Sequence, residues 1–114
     1  GVTGLAQEEP KPKRLRIPRG KHSVVTRGLV GGEATDYYLV RARAGQKLTV
    51  RATSPLKHTQ VNVSPEADDV HFANEPERSD LTRWTGTAPR TGDYLISVNV
   101  YPGGEHYTLR ISVR

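Results

Sequence analysis

From Arg14 onward, apolar residues alternate with polar ones at a period of two, and turn-forming residues punctuate the alternation. Leu15 and Ile17 share one face of a strand expected over Arg14–Pro18. A second strand, His22–Val30, runs into the turn pair Gly31-Gly32. Thr35–Ala44 and Gln46–Thr53 read as a hairpin through Ala44-Gly45-Gln46. Tyr38, Val40, Ala42 and Ala44 face one way, with Leu48, Val50 and Ala52 on the returning strand. Tyr37, Leu39, Arg41 and Arg43 then face out beside Lys47, Thr49 and Arg51. Thr59–Ser64 alternates Val61 and Val63 with polar residues, and Pro65, which lacks an N–H, should end it. Val70–Phe72 suits a short edge strand, and Leu81–Ala88 carries Trp84. Two strong strands follow, with Tyr94, Ile96, Val98 and Val100 on one and Tyr107, Leu109, Ile111 and Val113 on the other. No stretch repeats at 3.6 residues.

Eight or nine short strands in one chain of 114 residues predict a single all-β domain. One sheet of that many strands would leave an apolar face uncovered, so two stacked sheets are expected. No run approaches the ~18 apolar residues of a membrane span. The chain has no cysteine, which excludes disulfides, thiolate catalysis and zinc-cysteine sites.

Residues 1–20 differ from the rest and read as a signal-peptide stub and a flexible basic leader. Gly4 and Ala6 supply the small residues of a secretory cleavage site before Gln7, and the proline-broken, charged Glu8–Lys13 follows. Residues 1–21 hold six basic and two acidic side chains, whereas residues 22–114 hold eleven and ten. The net charge of +5 therefore belongs mostly to the leader. A near-neutral folded part argues against nucleic acid, which needs a basic face on the module.

Three segments carry a family likeness. They are Tyr38 with Ala42, Ala44-Gly45-Gln46, Leu48 and Val50; then Thr91-Gly92-Asp93-Tyr94 with Ile96 and Val98; then Tyr107 with Leu109, Ile111 and Val113. Together, over roughly residues 21–114, they resemble the bacterial pre-peptidase C-terminal domains. They also resemble the periplasmic inhibitors of goose-type lysozyme. The resemblance implies a two-sheet jelly-roll-like β-sandwich and a periplasmic or secreted protein. It also implies a long basic loop between the last two strands. Here that loop, Tyr101–His106, is short and has no Arg or Lys, so no inhibitory residue carries over. In the residues themselves, Gly45 and Gly92 suit turns, and Tyr94 and Tyr107 offer buried rings whose hydroxyls tie off backbone.

Candidate chemistry is sparse. His22, His58, His71 and His106 show no paired-ligand spacing, and no nucleophile elbow, phosphate loop or dinucleotide fingerprint occurs. The acidic stretch that contains Glu66, Asp68, Asp69, Asn74, Glu75, Glu77 and Asp80 could hold calcium or simply be solvated. Calcium would sit at Glu66, Asp68 and Asp69. The outward hairpin face, with Tyr37, Arg41, Arg43, Lys47 and Arg51, has the Arg and Tyr content of a partner-binding surface. Trp84 is either core or a platform for a sugar ring. The expectation is an exported, non-enzymatic binding module working through protein contacts at the cell envelope, with carbohydrate binding as the alternative and no cofactor.

Overall fold

The computed structural model describes residues 12–31, 35–55, 59–72, 77–100 and 104–114. Among them are nine strands: β1 Lys13–Arg14, β2 Ser23–Gly31, β3 Thr35–Ala42, β4 Lys47–Thr53, β5 Thr59–Pro65, β6 Glu77–Asp80, β7 Arg83–Thr87, β8 Gly92–Val100 and β9 Gly104–Val113. They form an all-β sandwich with one sheet of four strands, β1-β3-β8-β5, and one of five, β2-β9-β4-β7-β6. β2 pairs with β9, β3 with β8 and β4 with β7, all antiparallel. This nesting is what a long two-stranded ribbon gives when wrapped into a jelly roll.

The period-2 pattern places the side chains as the sequence requires. Val40 and Ala42 on β3, Leu48, Val50 and Ala52 on β4, Ile96 and Val98 on β8, and Leu109 and Ile111 on β9 are all buried between the sheets. Each such Leu, Ile or Val contributes about 1.5–3 kcal/mol by leaving water. Tyr94 ties the corner before β8: its hydroxyl donates to the Arg90 carbonyl at 2.6 Å and accepts from the Arg90 N–H at 3.3 Å.

The expected hairpin does not form. β3 and β4 lie in different sheets, and residues 43–46 carry the chain across the sandwich. Gln46 N–H donates to the Arg43 carbonyl at 3.0 Å, and Gly45, at φ +90°, occupies the turn position that L side chains avoid. The crossing is held by Gly45 N–H on the Ala88 carbonyl and Ala88 N–H on the Gln46 carbonyl, both 2.8 Å. Alternation shows which side chains face inward, and two inward faces can stack across a core as readily as share one sheet.

Other departures are smaller. Val70–Phe72 is not a strand, and Phe72 packs its ring on Trp84. β5 continues through Pro65, opposite Tyr94, because β5 is an edge strand whose outer side needs no N–H. Gly92 has no positive φ and has room for a Cβ, so the structure does not require glycine there. The first strand shrinks to Lys13–Arg14, parallel to β3. The described part of the expected leader nonetheless lies on the sandwich. Leu15 is buried, Ile17 packs against the core, and the Leu15 N–H donates to the Leu39 carbonyl at 2.9 Å. The signal-peptide stub, Gly32, His58, Asn74, Glu75 and residues 101–103 fall outside the described residues.

Candidate functional site

Residues 15–22 bridge the sheets, from β1 in the four-stranded sheet to β2 in the five-stranded one. Under this bridge, where β3 ends and the chain crosses to β4, lies a groove of about 850 Å³. Leu15, Val40 and Val113 supply apolar floor. Six cationic side chains line it, Arg14, Arg16, Lys21, Arg41, Arg43 and Arg114, and no Asp or Glu does.

One of these charges is spent internally. Arg14 grips Asp93 in a two-pronged pair, Nη1 to Oδ1 at 2.9 Å and Nη2 to Oδ2 at 2.7 Å. The Arg14 hydrogen bond holds the Asp93 carboxyl below its ordinary value against the opposing effect of burial, with help from the Arg41 charge. Among the described residues, no ion pair uses Arg16, Lys21, Arg41, Arg43 or Arg114. The groove is thus an electropositive recess able to take carboxylates from a partner. His22 lines it too, with no Ser, Cys, Asp or Glu among the lining residues.

The residues expected to form one binding face are divided. Arg41 and Arg43 join the groove. Tyr37, half-buried, lies opposite Ser97 on the four-stranded sheet. Lys47 and Arg51 are exposed on the five-stranded sheet, on the far side of the core. Sequence reasoning missed Arg16, Lys21 and Arg114 at the groove. The alternation of Arg14 and Arg16 with Leu15 and Ile17 was the signal that this segment belongs to the sandwich.

Trp84 is not a sugar platform. It is 4% exposed, its ring lies 5.1 Å from that of Phe72, and a Cβ on Gly86 would fall 2.7 Å from its Cη2. The apolar inward position on β7 claims it for the core. Glu66, Asp68 and Asp69 are exposed, and Asp69 pairs with Arg90 at 3.4 Å. No group of three His, Cys, Asp or Glu among the described residues is arranged to hold a metal.

This sandwich is similar to solved structures of periplasmic lysozyme inhibitors and of a pre-peptidase C-terminal domain. The inhibitor of g-type lysozyme from Aeromonas hydrophila is 27% identical with a TM-score of 0.69, over 91% of this chain and 100% of that one. The corresponding inhibitor from Salmonella Typhimurium is 20% identical with a TM-score of 0.67, over 91% and 100%. The pre-peptidase C-terminal domain of a Bacillus anthracis collagenase is 17% identical with a TM-score of 0.67, over 96% and 100%. The last two show the shared fold alone. No protein-family model and no curated protein sequence matches the chain.

Proposed function

We propose that this chain is an exported, non-enzymatic binding module that acts on a protein partner at the cell envelope, the partner being a lysozyme of the g type. The observation that carries this reading is the likeness to the Aeromonas inhibitor, which spans the whole of that protein. The groove supports it, because glycoside-cleaving enzymes present paired carboxylates that a recess of unpaired guanidinium groups complements. In this chain the cations come from Arg16, Arg41 and Arg43. The sequence between Val100 and Tyr107 has no Arg or Lys to offer.

A turbidity assay of g-type lysozyme on cell walls tests the reading. Equimolar chain at micromolar concentration is expected to suppress lysis. Arg41→Ala with Arg43→Ala should weaken suppression about tenfold or more, with an unchanged melting temperature. Full lysis in the presence of the folded chain would overturn the lysozyme assignment.

A further inference from the structure

The five-stranded sheet turns a second basic surface to solvent, separate from the groove. Ile111 of β9 pairs with Val50 of β4, and Val50 with Trp84 of β7, all three buried. Their sequence neighbours Arg110, Arg51 and Arg83 therefore point outward, and all three are exposed. Arg51 is the register partner of both Arg110 and Arg83, so three arginines stand in one row across three adjacent strands. Strands lie about 4.8 Å apart, and like charges directly opposite weaken a sheet.

Asp80 at the margin is the one described carboxylate in register with the row, and it faces Arg83 alone. Its Oδ1 accepts from the Thr82 N–H at 2.7 Å and from the Thr82 hydroxyl. Neither ion pair among the described residues involves these arginines. The next row is made of hydroxyls, Ser112, Thr49 and Thr85. The described outward positions of β2, β9, β4 and β7 include no Asp, Glu, Phe, Tyr or Trp.

We propose that this row is a binding face for a linear anionic polysaccharide bearing a carboxylate on successive sugars. The strand spacing is close to the length of one sugar ring in an extended chain, so a chain laid along the row brings its carboxylates within reach of the three long guanidinium side chains, each able to bind in two-pronged fashion. The flanking hydroxyl row gives donors and acceptors for sugar hydroxyls. A protein interface would want aromatic or large apolar anchors at its centre, whereas here the row's centre is Arg51 and the exposed apolar residue in line with it, Val25, lies on the edge strand β2. Single-stranded nucleic acid would want aromatic rings to stack on, and the described outward positions have none. The proposal stands apart from the lysozyme reading, which uses a different surface.

Calorimetric titration of the full chain with polygalacturonate oligomers, dextran of equal length and a DNA duplex tests it. Polygalacturonate is expected to bind, more weakly as salt rises. Arg51→Thr should cost about tenfold in affinity, the loss of one charge-assisted pair. Arg51→Thr with Arg83→Thr and Arg110→Thr should abolish binding while the melting curve remains cooperative. Arg41→Ala in the groove should leave it unchanged. Absence of polygalacturonate binding, equal binding of dextran, tighter binding of the duplex, or wild-type affinity in the folded triple variant would each overturn the proposal.

Discussion

Tyr107 and Arg110 stand three residues apart on β9 and treat a polar group in opposite ways. Tyr107 points into the sandwich and is 3% exposed. Its hydroxyl donates to Asp36 and accepts from the Tyr38 hydroxyl, which joins β9 of one sheet to β3 of the other. The hydroxyl end of the ring lies over Gly28 on β2. Both tyrosine hydroxyls of this seam have a partner, as burial demands. Arg110 points outward into a row of like charges. The seam serves stability, whereas the row costs stability and serves whatever comes to it.

The most severe way to break the seam is at Gly28. A Cβ there would lie 2.4 Å from the Tyr107 hydroxyl oxygen and 2.5 Å from Cζ. Tyr107 is anchored at its tip, so relief of the clash also breaks hydrogen bonds. Gly28→Ala should cost about 3 kcal/mol and lower the melting temperature by about 15 °C. A loss below about 1 kcal/mol would show that the ring swings aside freely.

Tyr107→Phe keeps the ring and removes the hydroxyl. It leaves Asp36 and Tyr38 without their shared partner, which should cost about 2 kcal/mol at neutral pH in a urea titration. The variant also tests pH dependence. Burial first, then donation to Asp36 and the Tyr38 contact, raise Tyr107 above the ordinary tyrosine value of 10.0, and burial also raises Tyr38. A raised acid contributes stability that is complete below pH 10 and lost as pH climbs above it. Wild type should weaken above pH 10, and Tyr107→Phe should weaken less steeply.

The Arg14–Asp93 pair gives a smaller effect at the other end of the scale, since it sits at the surface. Arg14 lowers Asp93 below its ordinary 3.8, so the contribution is present above that value and fades as pH falls through it. Asp93→Asn should flatten the acid arm of the stability curve below pH 4. An unchanged acid arm would mean that the pair contributes nothing to holding residues 13–17 on the sandwich.

The seam and the row were not equally legible. Alternation on β9 showed that Tyr107 faces inward and Arg110 outward, because a period of two is local. It could not show that Asp36, Tyr38 and Gly28 converge on Tyr107, since pairing is set by distant strands. The same limit turned Thr35–Thr53 into a hairpin and merged Arg41 with Arg51, which the core separates. Charge misled in another way. Eleven basic and ten acidic residues over 22–114 look balanced, yet Arg51, Arg83 and Arg110 gather on one face. Net charge averages over a surface that the fold sorts. Trp84 could be read either way because an inward position on β7 is known only once β7 has neighbours.

The smallest expected effect separates the two regions most directly. If the arginine row is retained for a ligand, its central member is a burden on the unliganded sheet. Arg51→Thr replaces one of three aligned charges with a good strand former and extends the hydroxyl rows beside it. Stability by urea titration at low salt should stay level or rise by about 0.5 kcal/mol, and the gain should shrink as salt screens the repulsion. A substitution that strengthens the fold while it removes a guanidinium is the signature of a residue kept for contact. A loss of more than about 1 kcal/mol would instead mean that the Arg51 stem packs against its neighbours as part of the structure, and the row would then resemble the seam.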